Sequence, residues 1–155
     1  MGDMSRRAAL LGVPAAAAGT VAVSASGTTE LSFTATRSKN TLPLSPPLGA
    51  PFIIYLALRN PTGQAIGDGS LTAMVVDLIP DVPPKIVIQL KVIFRLADGE
   101  IHASGMQIRQ VPEPGKLHQL AITGGTRAYS SARGEGTVEH VTADVSAVTL
   151  KVVTD

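Results

Sequence analysis

From Thr28 onward the apolar residues keep no helical period, and glycine and proline interrupt the chain at short intervals. The runs between them are rich in Val, Ile, Thr and Leu. Branched side chains of this kind lose rotamer freedom in a helix and pack well on a pleated surface. With 15 glycines and 11 prolines in 155 residues, the uninterrupted segments are of strand length. The pattern predicts strands at residues 29–36, 52–60, 65–78, 85–97, 100–111, 117–123, 132–141 and 145–154, joined by turns. Eight strands is the number at which a closed interior just holds its own side chains or one small ligand. The expectation is therefore an all-β chain forming an eight-stranded antiparallel β-barrel.

The turns agree with this count. Asn60-Pro61-Thr62-Gly63 and Ala97-Asp98-Gly99 carry hairpin chemistry, proline pre-setting φ and Asp-Gly favouring a tight reversal. Pro112, Pro114 and Gly115 make a third connection. Pro80, Pro83 and Pro84 mark a loop that no central strand would tolerate. Residues 37–51, with Pro43, Pro46, Pro47 and Pro51, are expected to form an irregular crossing that frames the barrel mouth. Within 86–96 the even positions Ile86, Ile88, Leu90, Val92, Phe94 and Leu96 form one apolar face, as do Val148, Leu150 and Val152 later. Residues 52–59 are apolar on nearly both faces, so the outer one is expected to meet a partner.

Charge excludes one large class of partner. The chain has 13 Lys and Arg against 12 Asp and Glu, with three Phe, two Tyr and no Trp. It lacks both the phosphate-neutralising charge and the stacking surfaces that nucleic-acid binding needs. With no cysteine, disulfides, thiolate metal sites and cysteine nucleophiles are excluded. Charged residues make up only 16%, against about a quarter in an ordinary soluble domain. Part of that deficit lies in residues 1–25, where Arg6 and Arg7 precede an uncharged stretch of Ala, Leu, Val, Gly and Thr. This layout reads as a twin-arginine-like export leader, or as a segment that caps the barrel of a cytoplasmic protein. It is a poor membrane span, because small residues and Pro14 contribute little insertion energy. Residues 26–155 then form a single barrel domain.

Residues 121–137 read AITGGTRAYSSARGEGT. This resembles the glycine-rich segment of allene oxide cyclase-like barrels and plant dirigent proteins. FIIYLALRNPTGQAIGDG and LKVIFRLADGEIHASG resemble that family's early and central hairpins. The resemblance spans about residues 28–155 and is closest in character to bacterial natural-product cyclases of the spirotetronate [4+2] type. It implies a barrel with an apolar pocket and no cofactor. Dirigent proteins carry a further Gly and then an Asp where this chain has Arg127 and Ala128. That Asp serves acid–base chemistry on a quinone methide, so its loss argues against a lignan-type role.

Candidate site residues follow from chemistry and resemblance together. Tyr55, Gln89 and Arg133 are the polar groups expected to hydrogen-bond a reacting carbonyl, although Arg133 also suits an ion pair with Glu135 or Glu139. Phe33, Phe52, Met74, Phe94, Met106 and Tyr129 are the large, adaptable side chains expected around a pocket, with Tyr129 able to plug a barrel end. His102, His118 and His140 lie on different strands without metal-ligand spacing, so no metal is expected. No GxSxG elbow supports a serine hydrolase, and no phosphate loop supports a nucleotide. Two functions remain: a cofactor-independent cyclase or isomerase folding an apolar polyketide-type polyene, or an exported, non-catalytic barrel binding a small apolar molecule. Low charge and two-faced strands predict a homo-oligomer, dimer before trimer. Light scattering at micromolar concentration should give a mass well above the 16.0 kDa of one chain; a 16.0 kDa species contradicts it.

Overall fold

A computed structural model of the protein describes residues 20–23, 27–110 and 115–155. Its strands are β1 (Thr20–Val23), β2 (Thr28–Asn40), β3 (Pro51–Arg59), β4 (Ala65–Ile79), β5 (Lys85–Leu96), β6 (Gly99–Arg109), β7 (Leu117–Gly125), β8 (Arg133–His140) and β9 (Val145–Val153). Each pairs antiparallel with the next, and β2 also pairs with β9. Strands β2 to β9 thus close an eight-stranded antiparallel barrel. Strand β1 lies outside this ring, alongside the first half of β2 from Thr29 to Ser32. A single 3-10 turn, Arg127–Tyr129, is the only helical element among the described residues. The rest of the leader or capping segment expected at residues 1–25 lies outside the described residues.

The alternation predicted for β5 points its even residues inward: Ile88, Leu90, Val92, Phe94 and Leu96 are all buried. They meet Leu31, Phe33 and Ala35 of β2, Leu56 and Leu58 of β3, Ile101 of β6 and Val148, Leu150 and Val152 of β9 in one core. Each large aliphatic or aromatic side chain buried this way contributes roughly 1.5–3 kcal/mol. Large and small residues alternate across the ladders. Gly136 sits between Leu120 and Leu150, and Gly69 between Leu56 and Phe94. A Cβ on Gly136 would lie 2.5 Å from Leu150 Cδ2, so the glycine makes room for the leucine. The outer face of β3 to β6 keeps Ile53, Met74, Met106 and Ile108 exposed.

One boundary differs in a way that matters. β2 was expected to end at Thr36 with an irregular segment beginning at Arg37, yet the strand runs on to Asn40. Residues 37–40 are polar and carry no strand signal of their own. Their pairing with β3, across an irregularity between Arg37 and Lys39, holds them extended. Tertiary pairing overrides local propensity here, and it continues the inward series of Leu31, Phe33 and Ala35 to Arg37.

The two barrel ends are unlike. At one, Tyr129 is buried and donates a hydrogen bond from its hydroxyl to Asp98 Oδ2 at 3.0 Å. Burial first, then the Asp98 charge, raises the phenol's pKa, so it stays a donor. Gly99 (φ +148°) admits this plug, because a Cβ there would fall 2.2 Å from Thr126 O and 3.2 Å from the Tyr129 ring. The connection uses Arg127 at φ 55°, a left-handed conformation that L side chains avoid. Left-handed backbone costs an L-residue about 1–2 kcal/mol, against roughly 0.5–1 kcal/mol for glycine's extra chain entropy. Urea midpoints should therefore rank Arg127→Gly at or above the wild type and Arg127→Val about 1 kcal/mol or more below it. Valine matching wild type would show that the turn is unstrained.

Candidate active site

The cavity of the barrel lies between the Tyr129 plug and the opposite end. It is lined by Ile54 and Leu56 of β3, Leu71 of β4, Ile88, Leu90, Val92 and Phe94 of β5, Leu120 of β7 and Val148 of β9. At the end away from Tyr129 the wall turns polar, with Arg37, Gln107, Arg109, His140 and Ser146. Its volume is about 50 Å³ for the centres of water-sized molecules, where one water needs roughly 10–15 Å³. The space is narrow, polar at one end and aliphatic in its depth. Phe94 forms part of the wall, and Phe33 packs edge-to-face against it with ring centroids 5.2 Å apart.

The polar end is built by register. His140 on β8 pairs with Ser146 on β9, and Ser146 pairs in turn with Ala35 on β2, two residues before Arg37. Arg37 Nη2 donates to His140 Nδ1 at 2.8 Å and to Ser146 Oγ at 3.1 Å. Its Nη1 donates to the Ala143 carbonyl at 2.7 Å. Ser146 Oγ also lies 3.0 Å from His140 Nδ1. A guanidinium has no acceptor, so Nδ1 must offer its lone pair and the imidazole proton sits on Nε2. Nε2 is buried and has no hydrogen-bond partner in the structure. The His118 ring lies 5.0 Å from that of His140, centroid to centroid.

Electrostatics fix the same protonation state. Burial, then the positive charges of Arg109 and Arg37 and the neighbouring His118, push His140 down to about 3. Burial also lowers Arg37, opposed by the charge of Asp144, but an arginine remains cationic throughout the physiological range. The result is a neutral imidazole N–H beside a fixed guanidinium. Such a pair can donate hydrogen bonds to an oxygen but is a weak base.

The structure distributes the residues expected from sequence unevenly. Phe94 lines the cavity, while Phe33 and Phe52 are buried in the core. Tyr129 closes the opposite end. Met74 and Met106 are exposed on the outer face, 48% and 66% respectively, because their positions alternate with the inward rows. Gln89 lies between them in register and is exposed too. Tyr55 is also outside, its hydroxyl bonded to Asp68, which Arg95 Nε contacts at 2.7 Å. Arg133 is exposed and pairs with Asp155 at 3.0 Å, not with Glu135 or Glu139. Gln107, Arg109 and Ser146 carry no signal of a site in the sequence, and Arg37 falls in the segment expected to be irregular. His140 was considered only as one of three scattered histidines. Its place two residues after Val138 on an inward row was the available signal. Among the described residues no three His, Cys, Asp or Glu side chains converge to hold a metal.

With this geometry in view, solved structures supply the comparison. The barrel has known counterparts. A pyocyanin demethylase aligns with TM-score 0.66 at 22% identity, covering 80% of this chain and 99% of its own. AbnU, an exo-specific intermolecular Diels–Alderase, aligns with TM-score 0.66 at 14% identity, covering 81% and 97%. A nonspecific heme-binding cyclase that catalyses [4+2] cycloaddition during neoabyssomicin biosynthesis aligns with TM-score 0.64 at 14% identity, covering 81% and 65%. At these identities the likeness is one of fold. No family model and no curated sequence matches the chain.

The low pKa of His140 has a measurable consequence. Below its ordinary value of 6.5 the unfolded chain takes up the proton, and the folded chain does not until about 3. The contribution is therefore fully present above pH 6.5 and is lost as pH falls through this window, with a slope approaching about 1.4 kcal/mol per pH unit. Urea unfolding of wild type should lose about 1–2 kcal/mol more than His140→Gln when the pH is lowered from about 6.5 to about 5. Equal losses would mean that His140 titrates normally.

Proposed function

We propose that this protein is a natural-product cyclase that folds an apolar, polyunsaturated precursor inside the barrel and closes a ring by [4+2] cycloaddition. The observation that carries this reading is the division of one cavity into an aliphatic depth and a donor cluster at a single end. In a cycloaddition the two π bonds of a conjugated diene and the one of an alkene are replaced by two carbon–carbon σ bonds and one π bond, with no atom or electron gained or lost. Such a step needs its reacting ends held in contact, and positioning of that kind supplies up to about 7–11 kcal/mol. A hydrogen bond from His140 Nε2–H to a carbonyl conjugated with the alkene would lower the barrier further, typically by about 3 kcal/mol.

Two lines support the reading. The fold is shared with an enzyme named as a Diels–Alderase and with another named as a [4+2] cyclase. The glycine-rich segment around Gly124 and Gly125 resembles that of allene oxide cyclase-like and dirigent barrels, which handle apolar substrates. In this reading the donor role expected of Tyr55, Gln89 and Arg133 passes to His140 and Arg37, since these line the cavity. A precursor large enough to cyclise must widen so narrow a space. The side chains that set its width, Leu56, Leu90 and Phe94, then govern rate and product.

The test uses a synthetic linear precursor bearing a conjugated diene and an acyl-activated alkene on one chain. Purified protein should accelerate loss of diene absorbance about a hundredfold or more over buffer, giving a product of unchanged mass. Phe94→Ala should change the rate or the isomer ratio about tenfold, while Met106→Ala on the outer face should leave both unchanged. Saturable binding without conversion would favour the non-catalytic binding barrel.

A further inference from the structure

Arg37 and His140 make a demand that an apolar substrate alone does not meet. The Arg37 guanidinium is half-buried, and its contacts are all neutral: the Ala143 carbonyl, His140 and Ser146. Asp144 acts on it only through space, without an ion pair. His140 is 6% exposed, lines the cavity and leaves Nε2–H without an acceptor. Arg109 lines the same end, and no Asp or Glu is among the described residues that line the cavity. The unmatched buried donor calls for an acceptor, and the field of the adjacent cation favours one that carries negative charge.

We propose that this end of the cavity is the receptor for an oxyanion on the ligand, so that the substrate is an amphiphile with an anionic oxygen head and an apolar, unsaturated tail. The head accepts hydrogen bonds from His140 Nε2 and sits in the field of Arg37. The tail runs along Leu90 and Val92 toward Phe94. A carboxylate and the enolate of an acidic 1,3-dicarbonyl share this chemistry. The polarity of the cavity also orients the ligand. Its apolar end must lie on the Tyr129 side, because the wall there offers no polar partner. This proposal rests on the cavity being the binding site of the cyclase reading, but it does not depend on the reaction.

Calorimetric titration of the full chain at pH 7 separates the possibilities, with octanoate, octan-1-ol, octylammonium and 2-octanoylcyclohexane-1,3-dione as probes. Octanoate or the dione should bind at least ten times more tightly than octan-1-ol, and octylammonium should bind most weakly. Whichever of the two acids binds more tightly identifies the head. Arg37→Gln should reduce the acid-over-alcohol preference to within about twofold while leaving the affinity for octan-1-ol in place, and Arg37→Lys should retain part of the preference. If Arg37→Gln does not fold, the wild-type ratio and Arg37→Lys still decide. Equal binding of acid and alcohol by wild type would overturn the oxyanion receptor and leave the apolar cavity standing. Failure of every probe to bind would overturn the receptor and the cavity reading together.

Discussion

The ladder that closes the barrel is the constraint on which the rest depends. Thr28 to Thr36 of β2 pair residue by residue with Val153 to Val145 of β9, without interruption. This long pairing ties the first barrel strand to the last across almost the whole sequence, and it fixes which residues face inward. Side chains on a strand alternate with period two, so a slip of one residue would turn Leu31, Phe33 and Ala35 outward and remove the core. The same slip would carry Arg37 to solvent. The buried rows Val148–Leu150–Val152 and Leu31–Phe33–Ala35 specify the register strongly, and the polar end inherits that precision.

An arginine and a histidine inside a barrel wall need an explanation, because charge and polar groups are expensive to bury. Two features lower the cost. Arg37 lies at the last inward position of its row, next to the open end, where solvent still reaches part of the side chain. Its two nitrogens also find a backbone carbonyl, a hydroxyl and an imidazole lone pair. The imidazole can accept that bond only as the neutral form, so guanidinium and histidine settle each other's protonation state. What the network leaves unmade is one N–H on His140. An unsatisfied buried donor costs about 1–3 kcal/mol, which a ligand oxygen would recover on binding.

How much of this was legible in the sequence varies with the kind of signal. Strand count, hairpin turns and the inward face of β5 were readable, because glycine, proline and period-two alternation act locally. The inward row of β9 was visible as a pattern, but only closure against β2 told which side was the interior. Met74 and Met106 were expected around a pocket on size and flexibility alone. Alternation against Ala73 and Val75, or Ala103 and Gln107, would have placed them outside. Arg37 was illegible for a better reason. Nothing in Arg37-Ser38-Lys39-Asn40 favours a strand, and only pairing with a partner from β3 makes it one.

On the proposed function, the two ends of the barrel also divide stability from binding. At the Tyr129 end a buried phenol, a carboxylate and a glycine-lined turn close the structure, and the interior beside them is nearly free of exposure, with Leu31, Leu58, Ile101 and Leu150 at 1% or less. At the other end His140, Arg37 and Ser146 leave space and an unmet donor. Core residues near the plug can therefore be optimised for packing without touching the ligand. Side chains in the middle, Leu56, Leu90 and Phe94, belong to both regions. Removing one of them should cost stability through the cavity it opens and change the room available to a ligand as well. If the proposed function holds, such a barrel can acquire a new substrate by altering its middle layer, so long as the plug holds enough stability in reserve to tolerate the loss.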